Sequence, residues 1–417
     1  MGTHDPRGAR ELPLRSRAAT RLGGATAAAS RALRRGGGTT VGGRVALAVD
    51  RDVLARLAAG RTVALVSGTN GKSTTTRFLA TALGTAARVA SNRSGANLPA
   101  GIVAALADDR DAPVAALEVD ESYLPRLLAV SRPAAVALLN LTRDQLDRVG
   151  EVRTIAVRWR AALLERPTTT VVANADDPMV AWAAAGASAP VWVAAGQPWT
   201  NDSMLCPACG ELLRRDGVDW WCRCGLRRPD PHWRLDGHML VDPTGGERPL
   251  DLALPGRANL ANAAVAIATA TVLGVPAERS VPAVVTTESV AGRYATRSIG
   301  AHRVRLLLAK NPAGWAELFD VLEPAPAPVL VTVNARPADG GDPSWLWDVP
   351  FERLRGRTVL AAGDRRLELA LRLTHADVRH ELVGGVRDLD AHRLPPRLDA
   401  LVTYTAFRDL LRDSHAA

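Results

Sequence analysis

Eight consecutive residues near position 70 have the composition of a phosphate-binding loop. Residues 67–74, SGTNGKST, follow a short apolar, β-branched run and precede a helical pattern that continues through Leu83. Glycines let backbone N–H groups close around phosphate oxygens, and the positive N-terminus of the following helix faces the same anion. In this arrangement Lys72 neutralises the β/γ charge and the Ser73 hydroxyl binds magnesium. The predicted nucleotide-binding residues are Gly68, Thr69, Asn70, Gly71, Lys72, Ser73 and Thr74.

Lysine is almost absent from this chain, which makes its two lysines informative. Of 52 basic residues, only Lys72 and Lys310 are lysine. Arginine serves well in exposed ion pairs, but a compact ammonium on a flexible stem fits a phosphate cradle better than a planar guanidinium does. Both lysines are therefore candidate site residues. For Lys310, chance survival in an arginine-rich chain is an equally good explanation.

The four cysteines form two closely spaced pairs within nineteen residues. Such pairs, each followed by a glycine, are typical of a zinc ribbon, in which two knuckles supply four thiolates in a tetrahedron. The second pair has the spacing C-x-C, which strains a knuckle, and disulfides are the alternative. Four protein thiolates leave no open coordination position, so the predicted zinc is structural. The predicted ligands are Cys206, Cys209, Cys222 and Cys224.

Apolar runs that alternate with helical patterns must position these groups. A carboxylate cluster, residues 118–121, ends one such run, and open α/β sheets bind ligands at the carboxyl ends of their strands. The pattern predicts an α/β protein with a mostly parallel central sheet, and a second, Rossmann-like α/β domain after it. The predicted strands are 62–66, 114–119, 135–140, 169–172, 304–308, 328–333, 358–362 and 401–404. The predicted domains are a basic arm over 1–45, a central ATP-binding domain over 46–292 with a cysteine insert at about 200–232, and a C-terminal domain over 293–417.

Composition limits the class of protein. The chain has 417 residues, enough for two or three domains at ~150 residues each. It has no apolar run of ~18 residues and no signal-peptide pattern, so we expect a cytoplasmic protein. The net charge is +9 and the sequence pI about 10.3, with much of the excess between Arg7 and Arg44. A partly disordered, solvated tail is favoured over a segment that binds nucleic acid or an anionic membrane.

The phosphate loop resembles one family closely. The string SGTNGKSTTT is similar to the TGTNGKTTT loop of Mur ligases and folylpolyglutamate synthases, which activate carboxylates with ATP, and Val66 stands where a general P-loop has glycine. Similar segments follow in order at 91–97, 117–121, 141–148 and 255–262, with Gln145 where many Mur ligases have histidine. The resemblance implies that Glu118 binds magnesium. It also implies nucleotide-binding roles for Asn259 and Arg293, and makes Asn262 a further candidate.

One absence narrows the subtype. Peptide-forming Mur ligases carry a carbamylated lysine downstream of the segment that resembles 141–148, and residues 153–164 contain no lysine. A guanidinium cannot form a stable carbamate. We therefore do not expect an ordinary amino-acid-adding ligase.

Two C-terminal strings, LAKNPAG at 308–314 and NARPADGGDPSWLWD at 334–348, resemble the MurT family, the ligase subunits of lipid II isoglutaminyl synthases. The resemblance implies ATP-dependent amidation of the D-isoglutamate α-carboxylate in the lipid II stem peptide, through an acyl phosphate. It also implies a GatD-like glutaminase partner that supplies ammonia, and a site at the inner face of the cytoplasmic membrane. Asp348 would complete the partner's Cys-His pair. Alternatively, Asp348 caps a turn near Pro350.

The residues that we expect to take part in the chemistry are Lys72, Glu118 and Asp348. Two other functions stay open from the sequence. A Mur-like or folylpolyglutamate-synthase-like amino-acid ligase would explain the ATP loop but not the C-terminal strings. A zinc-ribbon ATPase that binds nucleic acid would explain only the charge and the cysteines, and no basic and aromatic stacking pattern supports it.

Overall fold

The computed structural model describes residues 12–33, 38–92, 95–143, 151–196, 199–287, 294–385 and 394–413. The chain forms two compact units. The first comprises residues 1–141, 151–253 and 259–287, and the second comprises 142–150, 254–258 and 288–417.

A nine-stranded sheet organises the first unit, in the order β11-β10-β9-β6-β5-β4-β1-β3-β2. Neighbours from β2 to β9 run parallel, and the β9-β10-β11 edge is antiparallel. A separate hairpin is formed by β7 and β8. The strands are β1 Thr62–Ser67, β2 Val89–Ser91, β3 Val114–Glu118, β4 Ala135–Leu138, β5 Thr170–Asn174, β6 Val191–Ala194, β7 Arg214–Asp216, β8 Asp219–Trp221, β9 Trp233–Asp236, β10 Met239–Val241 and β11 Glu247–Pro249.

Helices surround this sheet, which explains why its central strands are apolar runs and not alternating sequences. The helices are α1 Leu14–Ala32, α2 Thr39–Val49, α3 Val53–Ala58, α4 Lys72–Gly84, α5 Pro99–Asp108, α6 Leu124–Ser131, α7 Val152–Leu164, α8 Pro178–Ala184, α9 Arg257–Val272 and α10 Ala277–Val285. Strand β1 lies between β3 and β4, with Val66 opposite Glu118 and Ser67 opposite Leu138. The loops that follow these three strands therefore leave the sheet at one edge, where the predicted site residues lie.

The described part of the predicted basic arm is helical. Helix α1 packs on α2 through glycines, since a Cβ built on Gly23 would lie only 2.6 Å from the carbonyl oxygen of Gly42. Ser16 Oγ donates to Asp50 Oδ2 over 2.5 Å, and Arg56 Nη1 lies 2.8 Å from the same oxygen. Burial raises the pKa of Asp50, but these hydrogen bonds outweigh burial and hold it below its usual range. The expectation of a partly disordered segment is not met over residues 14–32 and 39–49, because helix contacts replace solvent there.

The second unit is a six-stranded sheet in the order β12-β13-β17-β14-β15-β16, parallel except for β12 and β13. Alternate residues of β14 point to two cores: Val329 and Val331 face one, and Leu330 faces the other. The sheet is therefore covered on both faces. Its elements are β12 Tyr294–Ile299, β13 His302–Leu308, α11 Pro312–Phe319, β14 Val329–Thr332, β15 Val359–Ala362, α12 Arg366–His375, β16 His380–Leu382, β17 Arg397–Val402 and α13 Tyr404–Asp413.

The predicted fold class, two α/β layers with a cysteine insert, is confirmed. Among the described residues, no helix combines the length and apolarity needed to cross a bilayer. The antiparallel edge β9 to β11 was not predicted, because its strands are three or four residues long and largely polar. The proposed domain boundaries stay predictions.

Candidate active site

Lys72 begins helix α4 directly after the loop and is almost fully buried. Its Nζ donates to the carbonyl oxygens of Gly68 and Thr69, over 2.5 and 3.0 Å. Glu121 Oε2 lies 2.9 Å from the same nitrogen and forms a buried ion pair with it. The ammonium is thus held at the helix N-terminus, where backbone N–H groups and the helix dipole also favour an anion. This contact adds Glu121 to the candidate site, a residue that the sequence prediction left unassigned within its carboxylate cluster.

Gly71 and Asn262 pack tightly against each other. Gly71 has a φ of 81°, and a Cβ at this position would collide with Asn262 Oδ1. The same oxygen accepts a hydrogen bond from Thr75 Oγ1 over 3.1 Å. Asn262 therefore supports the loop from behind, although the resemblance favoured Asn259 over it. Asn259 lies one turn earlier on α9 and is partly buried.

The Ser73 hydroxyl and the Glu118 carboxylate both lie near Gly95. A Cβ built on Gly95 would lie 3.8 Å from Ser73 Oγ and 3.9 Å from Glu118 Oε2. Asn97 Nδ2 donates to the other carboxylate oxygen of Glu118 over 3.1 Å. The Asn92 side chain both accepts from the Glu118 N–H and donates to its carbonyl, each over 2.8 Å, and so fixes its backbone. A hydroxyl and a carboxylate beside a phosphate loop are the donors that magnesium prefers, so this pair could hold the ion.

A second layer of contacts joins the loop to strand β4. Asn140 Oδ1 accepts from the N–H of Asn70 over 2.9 Å, and its carbonyl accepts from the N–H of Thr69 over 2.8 Å. The next N–H, of Leu141, donates to Asp177 Oδ2 over 2.8 Å. Asp177 also caps helix α8, because its Oδ1 accepts from two N–H groups of the first turn. Burial raises the pKa of Asp177 to about 6, against these backbone hydrogen bonds, which lower it.

The four cysteine thiols lie together, with all Sγ atoms within 4.8 Å of one another. The shortest separations are 3.4 Å, between Cys209 and Cys222, and 3.7 Å, between Cys206 and Cys224. Both exceed a disulfide bond of about 2.05 Å, so the cysteines are free thiols. The backbone N–H of Cys224 lowers the pKa of Cys222 to about 7, whereas burial raises the pKa of Cys206 to about 12. Four sulfur donors in this arrangement fit a tetrahedral zinc ion.

Polar contacts join the cysteine segment to the rest of the first unit. Trp220 is fully buried and its Nε1 donates to the carbonyl of Ala175 over 3.2 Å. Arg228 Nε lies 2.6 Å from Asp176 Oδ1, and Arg153 Nε donates to the carbonyl of Pro207 over 2.9 Å. Asp176 is adjacent to Asp177, so the segment contacts the same turn that supports the phosphate loop. Arg153 belongs to the lysine-free helix α7 that the sequence singled out.

Asp348 lies in the second unit, at the end of a short 3₁₀ turn, Ser344–Trp347. Its side chain is 42% exposed, and its Oδ2 lies 3.3 Å from Arg143 Nη1, also of the second unit. The adjacent Trp347 ring is half-exposed and packs edge-on against His375, with centroids 5.2 Å apart. The Asp348 carboxylate is therefore accessible to solvent and is not enclosed in a core.

Other residues of the C-terminal strings order the backbone. Asn311 Oδ1 caps helix α11 by accepting from the N–H of Gly314 over 2.9 Å. Asn334 accepts from the N–H of Asp364 over 3.0 Å and donates through Nδ2 to Thr405 Oγ1. Lys310 Nζ lies 5.5 Å from the centre of the Tyr404 ring, in a cation–π contact. This contact gives Lys310 a structural role, and its candidacy as a site residue stays a prediction.

Several predicted residues fall outside the described ranges. They are Arg293, Arg93, Ser94 and the segment 144–148 that contains Gln145. Their predicted roles stay predictions, as do the catalytic and metal-binding roles of the residues described above.

Residues 66–197 match the family model for the Mur ligase middle domain, and residues 308–407 match the MurT ligase C-terminal family. The MurT subunit of lipid II isoglutaminyl synthase (glutamine-hydrolyzing) from Streptococcus pneumoniae is 31% identical, over 91% of this chain and 93% of its own length. Among solved structures, a pseudomurein peptide ligase type C from Methanothermus fervidus aligns with a TM-score of 0.65 and 16% identity, covering 85% of this chain and 79% of its own. MurF ligase from Thermotoga maritima, solved with ADP, aligns with a TM-score of 0.60 and 16% identity, covering 86% and 81%.

The two structural likenesses establish the fold. The sequence relationship is more specific, since it spans both units at 31% identity and is accompanied by a C-terminal match that ordinary Mur ligases would not explain. The phosphate loop, the free-thiol cluster and the C-terminal α/β unit occur in one chain in the order expected from the sequence. The chain therefore belongs to the MurT family of Mur-ligase-like subunits.

Proposed function

We propose that this chain is the ATP-dependent ligase subunit of a glutamine amidotransferase. The substrate would be the D-isoglutamate α-carboxylate of the lipid II stem peptide, and the product its amide. The observation that carries the proposal is the relationship to a named MurT subunit over nearly the whole of both chains. A GatD-like glutaminase would be the partner that supplies ammonia, as the word subunit in that relative's name suggests.

The loop geometry supports phosphoryl transfer to a carboxylate. A substrate carboxylate oxygen attacks the γ-phosphorus of ATP, the bond to ADP breaks, and an acyl phosphate forms. Lys72, now paired with Glu121, would exchange that carboxylate for a phosphate oxygen and offset the charge that develops. Bound magnesium would screen the phosphates, and Ser73 and Glu118 are the residues that would hold it.

The nitrogen step needs only a good leaving group. Ammonia attacks the acyl carbon, the C–O bond to phosphate breaks, and one proton is lost to give the amide. No carbamylated lysine is needed to position an amino acid, which agrees with the absence of lysine from residues 153–164. The four thiols would bind a structural zinc ion, and the enzyme would work at the inner face of the membrane, where its lipid-linked substrate lies.

The test is reconstitution with a glutaminase partner. The complex, given ATP, glutamine and lipid II, should release phosphate only when all three are present, and mass spectrometry should detect the amidated peptide. If phosphate release instead requires a free amino acid that becomes attached to the substrate, the chain is an amino-acid ligase and the proposal is wrong.

The exposed Asp348 permits a sharper test of its proposed role, which is to orient the partner's histidine. Asp348→Asn should lower glutamine-dependent amidation by about 100-fold or more, because losing the carboxylate of such a triad disturbs the histidine tautomer. Amidation with added ammonium should be unchanged. Asp377→Asn is the matched control, since it removes the same charge from a side chain that is 93% exposed in the same unit. Equal loss with both nitrogen sources would reject the assignment.

A further inference from the structure

The first two helices carry charge of one sign only. Helices α1 and α2 together contain five arginines and no aspartate, glutamate or lysine. The rest of the chain mixes both signs, with 43 acidic and 47 basic residues outside these two helices. Helices α1 and α2 therefore carry a concentrated positive charge that should attract an anionic surface.

Helix α1 also exposes apolar side chains on the face that turns away from the protein. It buries Ser16, Ala19, Thr20, Gly23 and Ala27. The opposite face carries Leu14, which is 81% exposed, and Leu22, which is 52% exposed, with Arg17 and Arg21 beside them. Leu33, just past the helix, is 66% exposed. Helices that lie in the interface of a lipid bilayer insert leucines between the headgroups and attract anionic lipids with arginines.

A groove opens between α1, α2 and α5, and its α1 wall includes Gly23 and Ala27 of the buried face as well as Arg21. Its lining residues include Arg21, Arg31 and Arg110, with Asp108 as the acidic residue. Glycines and alanines make up much of the remaining wall, so backbone is close to the groove surface. Three guanidinium groups against one carboxylate leave a positive charge suited to lipid phosphate groups.

We propose that the α1–α2 layer, residues 14–32 and 39–49, docks the protein on an anionic phospholipid surface. The exposed leucines would enter the headgroup region, while the arginines beside them contact lipid phosphates. This inference rests on the proposed function, because a lipid-linked substrate must be reached at a membrane. Docking through α1 would hold the first unit, with its phosphate loop, at that surface.

The experiment is vesicle co-sedimentation of the full chain. Vesicles of phosphatidylcholine with about 30 mol% phosphatidylglycerol should bind the protein. Vesicles of pure phosphatidylcholine should bind it at least about 10-fold more weakly, because they carry no net negative charge. Raising NaCl to about 0.5 M should release it, because exposed charges are then screened. Arg21→Glu/Leu22→Ser should weaken binding to the anionic vesicles by about 10-fold or more, since each basic residue near the surface contributes appreciably.

Helix α12 offers a matched control. Arg366 and Leu367 are also adjacent and exposed, with Leu367 at 64%, so Arg366→Glu/Leu367→Ser makes the same change in charge and apolar surface elsewhere. This control should bind anionic vesicles like the unchanged protein. Equal loss in both variants, or equal binding to both kinds of vesicle, would overturn the proposal. Amidation of detergent-solubilised lipid II needs no bilayer, so its failure would reject the proposed function, and its persistence without vesicle binding would reject only the docking surface.

Discussion

Replacing Glu121 by glutamine would distinguish the two anionic partners proposed for Lys72, which are the Glu121 carboxylate and the phosphates of ATP. Glu121 Oε2 and Lys72 Nζ are 2.9 Å apart, and both side chains are almost fully buried. Glutamine keeps the shape of glutamate but removes its charge. The backbone at this position is held independently, since Trp159 Nε1 donates to the Glu121 carbonyl over 2.8 Å. The substitution therefore changes the electrostatics of the loop with little change in geometry.

Glu121→Gln should lower the unfolding temperature strongly without nucleotide and less strongly with it. Removing one partner of a buried ion pair costs about 3–5 kcal/mol, because the remaining charge stays buried without its counter-ion. At about 2 °C per kcal/mol for a unit of this size, the variant should unfold at least about 6 °C below the unchanged protein. If Lys72 moves to the phosphates of ATP, the nucleotide supplies the missing negative charge. Saturating Mg-ATP should then reduce the deficit by half or more.

Thermal unfolding followed by tryptophan fluorescence, over a series of ATP concentrations, measures this directly. Glu352→Gln is the control, since Glu352 pairs with Arg372 over 2.8 Å in the second unit and has no part in the loop. Its deficit should not respond to nucleotide. The reasoning would be refuted by a Glu121→Gln deficit that stays constant while ATP still raises the unfolding temperature of the unchanged protein.

Three further substitutions probe the supports of the site. Asp177→Asn should cost about 1–3 kcal/mol, because the buried N–H of Leu141 loses its acceptor. Since the pKa of Asp177 is raised to about 6, the folded state binds the proton more tightly, and denaturant titrations should show the unchanged protein gaining stability over this variant as pH falls through 6. Cys206→Ser should lower bound zinc, measured by atomic emission, from about one per chain to near zero, and a metal-free unchanged protein would contradict the zinc assignment. Gly23→Val should cost about 1–3 kcal/mol in denaturant unfolding, since its side chain would meet the Gly42 carbonyl, whereas Gly24→Val, with open space around it, should cost less.

The sequence predicts those parts of the candidate site that lie within one continuous motif. It does not predict contacts between residues that are far apart along the chain. The loop around Lys72 is a continuous motif, so strand, glycines and helix start could all be predicted. Glu121 could not be assigned, because its contact with Lys72 depends on how β1 and β3 align. Asn262 contacts the loop from 187 residues further along the chain than Thr75, a separation that no local pattern reports. Predicting these contacts would require the register in which the strands pair.

The N-terminal helices were missed for a different physical reason. Helix α1 has no stripe of large apolar side chains, since it packs on α2 by close backbone approach at Gly23 and Gly42. A search for apolar periodicity therefore finds no helix in this segment, and its composition alone resembles that of a solvated tail. Glycines spaced along an alanine-rich basic segment were the signal that could have indicated paired helices.

The cysteine segment connects two neighbouring strands of the nine-stranded sheet, and this connection has a consequence for how the protein unfolds. Strands β6 and β9 are parallel neighbours, and the chain between them runs through residues 195–232, where a helix usually makes such a crossover. So small a segment has little apolar core of its own, and its cohesion depends on what joins the four sulfurs. We therefore expect that oxidising the thiols, or removing a zinc ion bound to them, would loosen the β9-β10-β11 edge before the strands that carry the phosphate loop. Hydrogen exchange that is faster in β9 to β11 and unchanged in β1, β3 and β4 would support this expectation.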